Sequence, residues 1–329
     1  MTILLPDVGI LVPSGALHPH AVARIGEQFN LVQLDRPDPS LLTPETAQSI
    51  RGIAAAMTPL DARLIDALPN LEIIAYFGMG YEAVDARHAA ERGVIVTNTP
   101  DVMNDEVADV AVGLLLSCIR EFGKAEAWLR SGRWQQDGAY PLSAATLRGR
   151  SIGIFGMGRI GTAIARRLAA FDVRISYHNR SHNPAVPYSY YQTLLELAAA
   201  VDTLVCVAPG GPATDRAVNA QVLEALGPDG VIVNVGRGST IDEEALAIAL
   251  HKGIIRGAAL DVFADEPNVP HALLDAPNTV LLPHIASASH STRRAVADLC
   301  VDNLVSWFGS GKALTPVRET AHLIARGSK

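Results

Sequence analysis

Three side chains in the second half of the chain have complementary chemistry, and each follows an apolar run. Arg237 stands in Asn234-Val235-Gly236-Arg237-Gly238, Glu266 in Asp261-Val262-Phe263-Ala264-Asp265-Glu266-Pro267, and His284 in Pro283-His284-Ile285-Ala286-Ser287. A planar guanidinium can clamp a carboxylate through two parallel hydrogen bonds. An imidazole changes charge near neutral pH and can give or take the proton of a carbonyl or alcohol oxygen. A glutamate beside it favours the imidazolium and fixes the ring tautomer. Alone, each residue suits a plainer role: a surface arginine, a capping or solvated carboxylate, a loop histidine. Together at neighbouring strand ends they form one constellation for proton transfer on a carboxylate-bearing substrate, and they lack only a hydride source.

Residues 151–180 supply the site for one. An apolar strand, 151–155, leads into Gly156-Met157-Gly158-Arg159-Ile160-Gly161, a G-x-G-x-x-G spacing. A helical period follows through Ile160, Ile164, Leu168 and Phe171, and a second strand spans 173–177. In this βαβ context the glycines mark a dinucleotide site. Gly156 permits the turn, Gly158 lets backbone approach a pyrophosphate, and Gly161 lets the helix lie close on the strand. The helix start near Arg159 then directs unpaired N–H groups at the pyrophosphate. An NAD site places an acidic residue about 20 residues past the first glycine, on the ribose 2′-hydroxyl. Here that place reads Tyr177-His178-Asn179-Arg180-Ser181, without a carboxylate. Arg180 can pair with a 2′-phosphate, and Asn179 and Ser181 can hydrogen-bond it, so NADP(H) is expected over NAD(H), with NAD(H) use still possible. An ordinary solvated arginine is the alternative.

The elements around these residues alternate strand and helix throughout. Strands are expected at 8–12, 31–34, 52–56, 73–76 and 94–96, with helices at about 20–29, 61–68 and 84–92 and Gly93 as a C-cap. The turns after two of these strands, Ala55-Ala56-Met57-Thr58 and Phe77-Gly78-Met79-Gly80, can line a cleft. Thr97-Asn98-Thr99-Pro100 reads as a crossover into a long helix at about 102–122, capped by Asp101 or Asn104. Gly132, Gly138 and Pro141 then break the structure. After Arg180 strands are expected at 203–207, 231–235, 258–262 and 280–282, and a final amphipathic helix at about 292–308 leads to a short tail. The second domain is thus a doubly wound sheet with its ligand crevice at the carboxyl ends of its strands. Val207, Ala208, Pro209, Thr214, Val235, Gly236, Arg237, Asp261, His284, Ala286 and Ser287 complete the expected cofactor set there.

Bulk properties narrow the classes. A chain of 329 residues makes two domains the default, and a net charge of −7 argues against nucleic acid and anionic membranes as partners. The stretch Met1-Thr2-Ile3-Leu4-Leu5-Pro6-Asp7 has no basic n-region or cleavage site, and residues 107–119 are too short to span a bilayer. Cys118, Cys206 and Cys300 lie in apolar stretches at no metal or redox spacing, as buried thiols of a cytoplasmic protein would. His18 and His20 lack further ligands, so no metal site is expected. His290 can line the crevice mouth, and Trp134 in Ser131-Gly132-Arg133-Trp134 suits a packed loop, a pocket or a partner subunit.

The four motifs, in order, resemble those of the D-isomer-specific 2-hydroxyacid dehydrogenases. The Asn-Arg-Ser cluster, the Gly-Arg-Gly around Arg237 and Ser131-Gly132-Arg133-Trp134 are most similar to the glyoxylate/hydroxypyruvate reductase branch. The resemblance implies an α/β fold of two domains, a Rossmann-type doubly wound parallel sheet and a flavodoxin-like α/β substrate domain. It implies a discontinuous substrate domain, 1–99 with 288–329, around a dinucleotide-binding domain, 100–287, and a cleft that closes over its ligands. It assigns Arg237, Glu266 and His284 as the catalytic trio and turns Asp261 toward the nicotinamide amide. Substrate contacts fall to Met57, Phe77, Gly78, Met79, Gly80, Arg237 and His284, with the N–H groups near Met79 and Gly80 on the carboxylate. It also implies a homodimer built through the cofactor domain and its long first helix. The chain departs from the family in lacking the acidic ribose ligand and in placing Met79 where smaller aliphatics are common. The expected reaction is reduction of a small 2-oxo acid, glyoxylate or hydroxypyruvate. The alternatives are a reductase of bulkier 2-oxo acids and a non-catalytic dinucleotide sensor.

Overall fold

The computed structural model describes residues 4–323; residues 1–3 of the N-terminal stretch and 324–329 of the tail lie outside the described residues. The chain forms two compact units, Met1–Met103 with Ser289–Lys329, and Asn104–Ala288.

In the first unit the order is β1 (Leu5–Val12), α1 (Pro19–Gln28), β2 (Phe29–Gln33), α2 (Pro44–Ser49), β3 (Ile50–Ala55), α3 (Ala62–Asp66), β4 (Ile73–Tyr76), α4 (Ala86–Glu91) and β5 (Ile95–Thr97). The strands pair in parallel as β2-β1-β3-β4-β5, the flavodoxin-like order. The helices α1–α4 all begin at side-chain caps: His18 accepts from His20, Thr43 from Thr46, Asp61 from Leu64 and Asp85 from His88. Leu11, Ile53, Ile74 and Val96, one from each of four strands, meet in the core. The C-terminal helix His290–Ser310 returns to this unit and packs on α1, β3 and β4.

The second unit runs α5 (Asn104–Ile119), α6 (Phe122–Arg130), α7 (Arg133–Asp137), β6 (Ser151–Phe155), α8 (Arg159–Leu168), β7 (Arg174–His178), β8 (Ser189–Tyr191), α9 (Leu194–Ala200), β9 (Thr203–Cys206), α10 (Ala220–Leu226), β10 (Val231–Asn234), α11 (Glu243–His251), β11 (Gly257–Leu260), α12 (His271–Leu274) and β12 (Thr279–Leu281). Its seven strands are parallel in the order β12-β11-β10-β9-β6-β7-β8. The order reverses between β6 and β9, the switch point of a doubly wound sheet, and ligands bind there at the carboxyl edge.

Three local expectations change. The helix expected at 102–122 ends at Ile119, because Glu121 adopts a left-handed backbone (φ +54°) and α6 starts in a new direction. The segment read as broken by glycines holds α7, delimited by Gly132 and Gly138, both at positive φ. Strand β8 went unread because it is a three-residue edge strand with too few residues to show a period.

The three cysteines are buried, and burial pushes the Cys118 thiol up to about 11 and those of Cys206 and Cys300 up to about 12. The folded protein at pH 8 should therefore leave Ellman's reagent unreacted over minutes, while protein in guanidinium releases all three equivalents. A fast-reacting thiol in the native state would contradict this burial.

Candidate active site

The glycine turn leaves β6 at Gly156, whose φ of +107° is open to glycine and strained for any other residue. A Cβ there would also lie 2.6 Å from the Ala208 nitrogen at the end of β9. Gly158 instead faces open space, with nothing within 4 Å of a Cβ, so backbone is accessible to a ligand at this point. Arg159, the first residue of α8, is exposed beside it, and Met157 and Gly161 lie on the inner side. These features fit a dinucleotide pyrophosphate.

Asn179 has a role that sequence reasoning missed. Its side-chain oxygen accepts the Met157 N–H at 2.6 Å, and its amide nitrogen donates to the Met157 carbonyl at 3.3 Å. The residue expected on a 2′-phosphate thus also ties the glycine turn to the end of β7, and these two bonds leave its second amide N–H for a ligand. Arg180 and Ser181 follow it and are exposed, and among the described residues Arg180 makes no ion pair.

Arg237 is carried by a loop that Asn234 organises. Buried at the end of β10, Asn234 accepts the Gly236 N–H at 3.0 Å and donates to the Arg237 carbonyl at 3.0 Å. The Thr240 hydroxyl donates to the same carbonyl at 2.7 Å. A Cβ on Gly238 would lie 1.9 Å from the Phe263 carbonyl carbon, so this loop touches the backbone of the Glu266 loop. On the neighbouring β9 loop, Thr214 turns its hydroxyl onto the Pro209 carbonyl at 2.6 Å.

His284 and Glu266 are hydrogen-bonded, Nδ1 to Oε2, at 2.7 Å. The other oxygen of Glu266 accepts the Phe263 N–H at 3.0 Å, which fixes the carboxylate in its own loop. An ionised carboxylate only accepts, so Nδ1 carries the proton and Nε2 is left as the outward nitrogen. The His284 side chain is 43% exposed and Glu266 27%, open enough for a ligand to reach the ring. Glu243, on α11, accepts the Ala264 N–H at 2.8 Å and braces the same loop. Its carboxyl is pushed up by burial, and further by Glu266 and Asp265.

His284 itself is held in a left-handed backbone conformation, φ +54°, which costs a non-glycine residue on the order of 1 kcal/mol. Asp261 supplies the restraint. Its carbonyl accepts the His284 N–H at 2.8 Å, and its carboxylate oxygens accept the Ile285 and Ala286 N–H groups at 2.7 and 2.9 Å. Burial pushes the Asp261 carboxyl up, opposed by those two N–H donors. Asp261 was expected to face the nicotinamide amide. In the structure each carboxylate oxygen accepts one N–H of the turn that bears His284, which leaves acceptor capacity on each for such a contact, and Ala286 and Ser287 of that turn are buried.

In the first unit, the loop Phe77–Gly80 is pinned from β5 onward. Thr99 exchanges two hydrogen bonds with Gly78, and Asn98 donates to the Met79 carbonyl at 2.7 Å. The N–H groups of Met79 and Gly80 have no acceptor among the described residues. Met57, after β3, is 77% exposed at φ +50°. Asn98 and Thr99 were read only as crossover residues; a polar pair after an apolar strand was the available signal.

Residues 112–286 match the model of the D-isomer specific 2-hydroxyacid dehydrogenase NAD-binding domain. The chain belongs to this family. Within it, the chain is 44% identical over 293 residues to the glyoxylate/hydroxypyruvate reductase A HPR2 of Arabidopsis thaliana, covering 88% of this chain and 93% of the relative. It is 46% identical over 272 residues to the hydroxyphenylpyruvate reductase of Plectranthus scutellarioides, covering 82% and 86%. Among solved structures, the NADPH-dependent glyoxylate/hydroxypyruvate reductase of Sinorhizobium meliloti, in complex with NADP and malonate, superposes with a TM-score of 0.93 at 53% identity, covering 98% of this chain and all of that one. The chain is thus a dehydrogenase/reductase with a Rossmann-type NAD-binding unit and a small 2-oxo or 2-hydroxy acid as substrate.

The brace on the His284 turn is testable. Asp261→Asn keeps one acceptor and sets an amide N–H against a backbone N–H, a mismatch of about 1–3 kcal/mol. Turnover should fall by roughly 10-fold or more with the far-UV spectrum unchanged; full turnover in a folded variant would refute the brace.

Proposed function

We propose that this protein reduces small 2-oxo acids, glyoxylate and hydroxypyruvate, to 2-hydroxy acids with NADPH in preference to NADH. The observation that carries the reading is the 2.7 Å pair between His284 and Glu266, in the same unit as the glycine turn. The relatives named glyoxylate/hydroxypyruvate reductase support the substrate class.

The nicotinamide, when bound, supplies the hydride. The chain supplies the rest. Gly156–Gly161 and the start of α8 hold the pyrophosphate. Glu266 keeps the His284 proton on Nδ1 and stabilises the imidazolium, so that Nε2 can donate a proton to the carbonyl oxygen. In the reverse direction the same nitrogen takes it back. Arg237 clamps the substrate carboxylate through its planar fork. In the first unit, the N–H groups of Met79 and Gly80 offer two further donors to a carboxylate. Arg180, exposed at the end of β7 with no carboxylate in 177–181, favours the 2′-phosphate. The NADP bound to the Sinorhizobium meliloti enzyme supports the same preference.

A second reading, reduction of bulkier 2-oxo acids, is favoured by the 46% identity to a hydroxyphenylpyruvate reductase. A homodimer is supported by Phe122, Leu129, Trp134 and Leu142, apolar side chains exposed on and beside α6 and α7. Among the described residues no helix is long and apolar enough to cross a membrane. A cytoplasmic location suits the three buried thiols.

One panel tests the enzymatic reading: NADPH and NADH against glyoxylate, hydroxypyruvate, pyruvate and phenylpyruvate. The expected result is turnover of the first two with higher kcat/KM for NADPH. Preference for NADH defeats the cofactor assignment, and preference for phenylpyruvate favours the second reading. His284→Ala should lower kcat by roughly 100-fold or more, and Arg180→Ala should weaken NADPH while sparing NADH. Sedimentation equilibrium should give twice the chain mass of 34.9 kDa, and a monomer at micromolar concentration would exclude the dimer.

A further inference from the structure

Phe77 opens the loop whose Met79 and Gly80 N–H groups await an acceptor, and three cationic or donor side chains of the same unit gather about it. The His18 ring stacks on Phe77 with centroids 6.2 Å apart and planes within 7°. The Arg293 guanidinium lies 5.9 Å from the Phe77 ring centroid. His290 is one turn away on the same helix.

The acidic residues nearby serve other cations. Asp298 pairs with His20 and Arg24, and Asp302 with Arg24. Among the described residues neither His18, His290 nor Arg293 has a carboxylate partner. His18 is also held in one tautomer: it caps α1, and its Nδ1 accepts the His20 N–H at 3.2 Å. Its proton is therefore on Nε2, which is left as a donor. Burial, and then the charges of His20, Arg293 and His290, lower its pKa. The cluster thus offers donors without a matching acceptor, on an aromatic floor, next to a loop proposed to receive a carboxylate.

We propose that His18 and Arg293, gathered on Phe77, select 2-oxo acids that carry an oxygen acceptor, a hydroxyl or a carboxylate, on carbon 3. This inference rests on the reductase reading above and adds to it which substituent is recognised, and by which residues. A hydroxyl on carbon 3 accepts a hydrogen bond from the cluster. A methyl or aryl group offers these donors no acceptor, and a site built to hydrogen-bond a group rejects the analogue that lacks it. Glyoxylate has no third carbon and makes no demand on the cluster.

Hydroxypyruvate and pyruvate differ there by one hydroxyl, so their ratio of kcat/KM with NADPH isolates the contact. The wild-type protein should favour hydroxypyruvate by about 10-fold or more. Arg293→Leu and His18→Phe should each lower that ratio by about 5-fold or more, and Arg293→Lys should recover part of the loss. Two separate positions keep the test open if one variant misfolds, with far-UV circular dichroism as the check. A ratio unchanged in a folded variant of either position overturns the inference and leaves the reductase reading intact. A wild-type ratio near one overturns it as well. A wild-type protein that reduces none of glyoxylate, hydroxypyruvate and pyruvate overturns the reductase reading, and the inference with it.

Discussion

Parallel pairing is the constraint on which the rest of this molecule depends. Strands that all run one way need a crossover between each neighbour, so every turn at the carboxyl edge of a sheet is a free loop at the mouth of a rigid strand. Both units are built this way. The glycine turn, the Arg237 loop, the Glu266 loop and the His284 turn leave β6, β10, β11 and β12 in turn, all at one edge. The Met57 turn and the Phe77 loop do the same after β3 and β4. Apolar strands set the positions of these loops to within the rigidity of the sheet, and the polar residues on them are free to carry chemistry.

Rigid strands do not by themselves orient side chains on loops. Here each chemistry-bearing loop has a dedicated polar brace at its base: Asn179 for the glycine turn, Asn234 for Arg237, Asp261 for His284, and Asn98 with Thr99 for the Phe77 loop. The braces act on backbone groups that the strand ladder leaves unpaired: Asn179, Asn234, Asp261 and Thr99 accept N–H groups, and Asn98 donates to a carbonyl. Asp261 is the most demanding case. A carboxylate removed from water is tolerated because its oxygens meet N–H donors, and the same bonds hold a histidine in a conformation it otherwise avoids.

The sequence shows the rigid part of this arrangement and conceals the braces. Apolar runs of four or five residues flanked by glycine and proline announce β4, β6, β9 and β10 with boundaries close to those observed. The spacing of Gly156, Gly158 and Gly161 and the residue types of Arg237, Glu266 and His284 carry their chemistry in their names. What Asn179 and Asp261 bond to is not written in their types, because the partners are backbone N–H groups that every residue but proline possesses. Their ligand-facing expectations therefore say nothing of the turns that both also hold. The change of direction at Glu121 was hidden for a related reason: the apolar pattern carries on past Ile119, and only the backbone angle stops the helix.

The bonds made by Asn179 also bear on how such a protein could change its diet of cofactors. The side chain that steadies the turn and the side chains proposed to face the ribose are adjacent but distinct: residue 179 grips Met157, while 180 and 181 are exposed. Support and reading are therefore separable tasks. On that proposal, exchange at 180 and 181 alters which nucleotide is welcome while the turn keeps its shape. Exchange at 179 would loosen the turn itself. A lineage built on this scaffold can drift between redox pools by surface substitutions alone, without passing through a form whose phosphate cradle has come loose.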